Sequence, residues 1–338
     1  MEDPNPQIPE ALKKTGQVAS FAELEKLVYV FEAALCRQGI HIQPGSDLEG
    51  ACCSVLEVLG KHQNHTIRNP QEDIRQVFTE VLGIWIFLQK VVRLQGHPSF
   101  PSFTPHLNLL NEGTVVQNKR LRASQDAANK IFELLFALVL LDLSPDVALA
   151  DPDLEDTRNP DILATIDGQR WGFACKVVYG DSGKALFDNL KKAVDQIEVS
   201  AATMGCVVIN FRNHIKHETF WPLLNEAEHR AGAEPVFGTS IDTRAAGPAL
   251  CEQVTLKRNQ VAEEIELKHV LNMYAGKKAL PGFLAFCQTC AGQVSALGPM
   301  SAAISALVLG KFSPCDQYIP VIGRMNEALH ERAHKSRI

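Results

Sequence analysis

The sequence predicts a mixed α/β layer fold from about Ser124 to Asn213, with helical additions on both sides. Three observations predict it. The apolar pattern of that stretch runs helix, strand, strand, strand, helix, strand. Asp167-Gly168 lies between two strand-like runs and marks a two-residue hairpin turn. Both helical stretches are apolar enough to bury a face against a sheet.

The elements follow in order. Ser20 and Glu23 form a capping-box pair ahead of Leu24, Leu27, Val28, Phe31, Ala34 and Leu35, which recur at helical spacing. Ser46 and Glu49 repeat that signature before a second, shorter helix. Asn69, Pro70 and Glu72 open a third, whose stripe is Ile74, Val77, Phe78, Val81, Leu82, Trp85 and Leu88. The proline-rich run from Gly96 to Pro105 reads as a loop or linker and as the main domain boundary. The expected division is a helical region over 1–105, the α/β core over 114–220 and a mixed, mostly helical region over 221–338. Within the core, a helix is expected from Ser124 to about Asp142. Strands follow at about Asp146–Ala150, Asp161–Ile166 and Gln169–Tyr179, then a helix from near Ser182 to near Ala202 and a strand over Cys206–Phe211. Further on, Arg258–Tyr274, Pro299–Leu309 and Ile319–His334 read as helices.

Composition bounds the function. The chain has 338 residues, 46% of them hydrophobic and 21% charged, which suits a globular protein with a sizeable core. A net charge of −6 counts against a protein that coats nucleic acid, yet leaves room for a small basic groove. The opening MEDPNPQIPEALKK has no apolar core of a signal peptide, and the nine cysteines sit mostly in apolar runs. Reduced, buried thiols in a cytoplasmic protein are expected. The longest small-and-apolar run, Met300 to Leu309, is too short to span a bilayer, so no membrane role is expected.

Counting outward from the Asp167-Gly168 turn fixes a register. Ile166 faces Gln169, Thr165 faces Arg170, Leu163 faces Gly172 and Asp161 faces Ala174. Asp161, Ala174 and Lys176 then share one side of the sheet, with Lys176 one diagonal step from Asp161. Lys176 is the only charge in Gly172-Phe-Ala-Cys-Lys-Val-Val178, and a lysine there needs an anion beside it. Glu133 is the only polar side chain between Ile131 and Leu141, so a buried carboxylate in want of a cation is expected. On the second helix, Leu186, Leu190, Ala193, Val194, Ile197 and Ala201 form the inner face. Gln196 lies on the flank, within reach of a site beside the sheet, whereas Asp188 points to solvent.

The helix with Glu133, the Asn159-Pro160-Asp161 run, the hairpin, Ala174-Cys175-Lys176 and the helix with Gln196 together resemble the PD-(D/E)XK nuclease superfamily, whose restriction-endonuclease-like core is an αβββαβ unit. The resemblance covers roughly a quarter to a third of the chain, and its motifs are short. It implies a Mg²⁺-dependent (or Mn²⁺-dependent) nuclease that hydrolyses DNA, with genome defence or restriction as an analogy from the family. It implies Asp161, Lys176, Glu133 and Gln196 as catalytic residues. It implies Asp161, Glu133 and the Cys175 carbonyl as metal ligands. The departure is Ala174, where the family places an acid. Two alternatives stay open: a catalytically degenerate nuclease-fold module that binds nucleic acid or supports assembly, and a protein-interaction component built on the helical ends.

Other groups have bland and functional readings side by side. Asp161 with Lys176 is also a plain structural ion pair. Cys287-x-x-Cys290 is half of a zinc motif without its other half, and buried thiols are the favoured reading. His62-x-x-His65 and His214-x-x-His217 lack partners for a metal site. Lys184, Lys191, Lys192, Arg212, Lys216 and the histidines at 214 and 217 read as a phosphate-contacting rim or as a solvated face.

Overall fold

A computed structural model describes residues 21–63, 74–121, 125–153, 160–220, 243–295 and 298–330. Three helices come first: α1 (Phe21–Arg37), α2 (Asp47–Gln63) and α3 (Ile74–Leu94). The Ser46 hydroxyl accepts from the Glu49 amide at 3.1 Å, the first half of the expected capping box. The Glu49 carboxylate returns to the amide of Gly45 rather than of Ser46, at 2.6 Å. Residue 20 and the expected opening of the third helix over 69–72 lie outside the described residues.

The proline-rich run carries a 3-10 turn (Phe100–Phe103) and a short helix, α4 (Thr104–Asn108). Phe100 and Phe103 are fully buried in the same apolar cluster that takes in α1, α3 and the sheet. The alternating region follows: α5 (Asp126–Leu141), β1 (Ala148–Leu149), β2 (Ile162–Ile166), β3 (Gln169–Val177), α6 (Gly183–Val199) and β4 (Met204–Asn210). The chain continues with α7 (His217–Phe220), α8 (Thr243–Ile265), α9 (Leu267–Tyr274), β5 (Ala279–Ser295), β6 (Gly298–Lys311) and α10 (Ile319–His330).

The protein is α/β, with one six-stranded mixed sheet in the order β1-β2-β3-β4-β5-β6. β1, β2 and β3 pair antiparallel, β3, β4 and β5 run parallel, and β6 returns antiparallel along β5. The β2–β3 register is the one counted from the turn: Ile166 opposite Gln169, Thr165 opposite Arg170, Leu163 opposite Gly172. Asp167 and Gly168 both take positive φ, 52° and 74°, as a two-residue turn of this hand requires.

Helices cover both faces. On one face α5 packs Phe132 and Phe136 against Phe173, Phe286 and the apolar row of β2, and α1, α3 and α10 extend that cluster. On the other face Leu186, Leu190, Ala193, Val194 and Ile197 of α6 cover Ala174, Val207 and Ile209, with α8 and α9 beside them. Ala201, counted with that face in the sequence, lies past the helix end and is exposed. A buried ion pair closes the first side: Lys90 of α3 bonds Asp142 at the end of α5 and also donates to the carbonyl of Ala328 in α10.

The C-terminal reading needs a correction. Pro299–Leu309, expected as a helix, belongs to strand β6, and β5 before it was not foreseen at all. Phe283 through Cys290 are buried on both sides of the strand, so the alternation that signals a half-exposed strand is absent. Helices are present at 258–265, 267–274 and 319–330 as expected.

Close approach of α6 to the sheet depends on Gly205, the partner of Gly172 in the β3–β4 pairing. A Cβ on Gly205 would lie 2.5 Å from the Gly172 carbonyl oxygen and 2.5 Å from Cγ2 of Ile197. Gly205→Ala is therefore expected to destabilise the fold by about 1–3 kcal/mol, since neither neighbour is the loose end of a side chain. Urea unfolding of the variant checks this, and an unchanged midpoint would contradict it.

Candidate functional site

The site forms where β2 begins beside the end of β3. Ile162 is the first β2 residue paired with β3, opposite Phe173. Cys175, two residues further along β3, has no β2 backbone to bond. The Asp161 carboxylate takes that place and accepts the Cys175 N–H at Oδ2, 2.6 Å away. The Lys176 ammonium reaches the same oxygen at 3.4 Å. The backbone contact is the short, charge-assisted one, so Asp161 is held first as a side-chain extension of the ladder and second as an ion-pair partner.

Glu133 approaches from α5, buried as expected. Its Oε2 accepts from Lys130 one helical turn earlier, at 3.0 Å. His106 of α4 places Nε2 at 3.7 Å from the same oxygen, beyond hydrogen-bond range, and this buried nitrogen has no hydrogen-bond partner among the described residues. Lys130 and His106 were not singled out in the sequence. Lys130 reads as an ordinary second-turn lysine of a helix, and His106 directly follows the proline-rich run.

Charge links these residues. Burial, then the nearby charge of Glu133, pushes the Asp161 carboxyl up to about 6, with Lys176, Lys130 and the Cys175 N–H working against that rise. Burial lowers Lys130, but the charge and hydrogen bond of Glu133 outweigh it and hold this ammonium above the usual lysine value. Two carboxylates and two ammonium groups thus share one neighbourhood and sum to zero when all are charged.

Gln196 stands apart from them. α6 runs back along the sheet antiparallel to β3, as a crossover to a parallel strand must. Gln196 lies thirteen residues after Gly183, about 20 Å down the helix axis. It neighbours Ile197, which packs on Gly205 at the far end of the strands. The wheel had the face of the helix right, but position along the axis removes Gln196 from the site. Asp188 points to solvent as expected, paired with Lys184 at 2.9 Å.

The supposed phosphate rim also dissolves in part. Arg212 is buried and bonds the carbonyls of Val116 and Lys119 at 2.7 Å each. Burial lowers its pKa to about 10. His217 bridges Thr289 and the Arg212 carbonyl, at 3.0 and 2.9 Å. His214 is buried against Phe211. Burial holds both imidazoles down near 4, and Lys257 adds to this for His214. Arg212, together with Asn213, whose side-chain oxygen accepts from the Leu121 amide at 2.8 Å, fastens the segment 116–121 over the end of β4. Lys191, Lys192 and Lys216 are exposed. Cys287 and Cys290 are free thiols in different apolar clusters, because three residues along a strand reverse the side-chain direction. His65 lies outside the described residues.

A divalent metal does not fit this donor set. Mg²⁺ or Mn²⁺ wants near-octahedral oxygen at roughly 2.1 Å. Asp161 Oδ2 and Glu133 Oε2 already accept from cations or N–H groups. Ala174, where a further acid would stand, is fully buried against α6. Among the described residues, no group of three His, Cys, Asp or Glu side chains is placed to hold a metal. No described helix is long and apolar enough to cross a membrane.

Comparison with protein-family models, with curated proteins and with solved structures gives no match for this chain.

The raised pKa of Asp161 has a thermodynamic consequence. An acid with a folded pKa near 6, above its unfolded value of about 3.9, binds more protons when folded. Its contribution to stability therefore falls as pH rises through that window. The lowered values of His214 and His217 act the other way, favouring the folded state as pH rises. The difference between wild type and Asp161→Asn isolates the aspartate, because Asn still accepts the Cys175 N–H. Wild type is expected to lose stability relative to the variant between about pH 4 and pH 6.5. Urea midpoints for both proteins across that range check it, and parallel curves would contradict it.

Proposed function

We propose that this chain carries a restriction-endonuclease-like core that has lost metal-dependent hydrolysis and serves as a nucleic-acid-binding module, with DNA as the ligand. Support for the core comes from element order and pairing: helix, three antiparallel strands, helix, then a strand parallel to the third. It comes also from the meeting of Asp161 with Lys176, the pair that the resemblance singled out.

One observation carries the binding reading. At this site the carboxylates lie beneath and the ammonium groups lie outermost. The side chains of Lys130 and Lys176 keep 28% and 19% of their surface exposed, against 6% for Glu133 and 10% for Asp161. An approaching phosphate meets cations, with the anions screened behind them. The same arrangement argues against hydrolysis. No metal-ready oxygen cluster exists among the described residues to activate water, and Ala174 offers none.

The expected result is salt-dependent binding of duplex or single-stranded DNA in fluorescence anisotropy, weakened several-fold by the Lys130→Ala/Lys176→Ala double variant. Plasmid nicking in Mg²⁺ or Mn²⁺ is expected to stay at background in wild type, Asp161→Ala and Lys176→Ala alike. Nicking by wild type that both variants abolish would establish the hydrolytic nuclease instead. Absence of DNA binding together with a stable protein partner in pull-downs would turn the assignment to a protein-assembly role.

A further inference from the structure

We propose that Lys130 is a built-in counter-ion, whose ammonium supplies the cation that Glu133 and Asp161 require and thereby excludes a divalent metal. This rests on the non-hydrolytic reading above, and goes beyond it by naming the residue that closes the site to metal.

The argument starts from cost. Two carboxylates buried near each other repel, and each loses hydration. Such a pair persists by holding a proton, a metal or fixed cations. Here the cations come from the chain. Lys176 reaches Asp161 at 3.4 Å, from the neighbouring strand. Lys130 binds Glu133 at 3.0 Å, from the same helix, and its charge also acts on Asp161. His106 makes no hydrogen bond to Glu133, its Nε2 lying 3.7 Å away. With both lysines in place the group is neutral. A dication entering it would leave two uncompensated positive charges among residues that are largely out of water, which is unfavourable.

The two lysines are not equivalent. Lys176 shares its oxygen with the Cys175 N–H, so Asp161 keeps a strong donor without it. For Glu133, Lys130 is the one hydrogen-bond donor placed on its carboxylate among the described residues. Removal of Lys130 therefore leaves two carboxylates with Lys176 as their one ion-paired cation, a net charge of −1, and frees Glu133 Oε2 of its lysine donor. That is the minimum a weak divalent site needs, one or two carboxylates with water filling the remaining positions.

The test is Mn²⁺ binding by the full chain, read from the loss of the free-ion electron paramagnetic resonance signal and from the melting temperature. Wild type is expected to take up no Mn²⁺ at millimolar concentration and to melt at the same temperature with and without it. Lys130→Met is expected to bind Mn²⁺ at least tenfold more tightly and to be stabilised by it. The double variant Lys130→Met/Asp161→Asn should lose that binding again. Should Lys130→Met fail to fold, Lys130→Gln, which retains a donor for Glu133, carries the same expectation. A folded Lys130 variant with no gain in Mn²⁺ binding overturns the inference while leaving the DNA-binding proposal intact. Saturable Mn²⁺ binding by wild type that Asp161→Asn abolishes overturns it too, and only accompanying nicking would overturn the functional reading as well.

Discussion

The start of strand β2 sets the chemistry of this protein. Where its backbone has yet to join the sheet, the Cys175 N–H of β3 faces a gap, and the Asp161 carboxylate fills it at 2.6 Å. That single bond draws an anion into a site almost wholly out of water. An anion so placed demands compensation, and the surrounding residues answer it. Lys176 comes from the same strand as the N–H, while Lys130 comes from α5 together with its own partner Glu133. Burial and the charge of Glu133 still hold the Asp161 pKa above the ordinary aspartate value, against the opposing pull of both lysines.

Much of the fold was legible in the sequence because local rules agreed with one another. Asp167-Gly168 admits positive φ at both turn positions, and a turn of two residues leaves one register for the strands it joins. Ser182 caps α6 by accepting from the Ala185 amide, and the apolar row from Leu186 to Ile197 predicts its buried face. Glu133 announced itself as a lone charge in an apolar helix. The β5–β6 hairpin stayed hidden for the opposite reason. From Ala279 to Gly310 the chain has no charged residue, and strands covered on both faces show no alternation to separate them from a buried helix.

The site was legible only in part. The hairpin count brings Asp161 near Lys176, but the pairing with β3 starts at Ile162, and the Asp161 carboxylate bonds the Cys175 N–H instead of standing opposite Ala174 in the ladder. Lys130 was readable from its i,i+3 spacing to Glu133 on one helix and was missed, whereas His106 follows from packing: α4 must dock on α5 before its imidazole can approach Glu133. No periodicity in the sequence carries that information. Gln196 illustrates a related limit, since a helical wheel reports direction about the axis and says nothing of distance along it. Arg212 shows the same for charge. In sequence it resembles a surface contact for phosphate, yet it is spent internally on the carbonyls of Val116 and Lys119.

What unites the fold and the proposed function is a neutral four-charge cluster with its anions inward and its cations outward. Titration of the Asp161 carboxyl carbon by NMR addresses this directly, because the cluster exists only if that carboxylate is buried beside Glu133. A midpoint near 6 that is insensitive to added Mg²⁺ agrees with it. A midpoint near the ordinary aspartate value of about 3.9, or one that Mg²⁺ drives sharply downward, would contradict it.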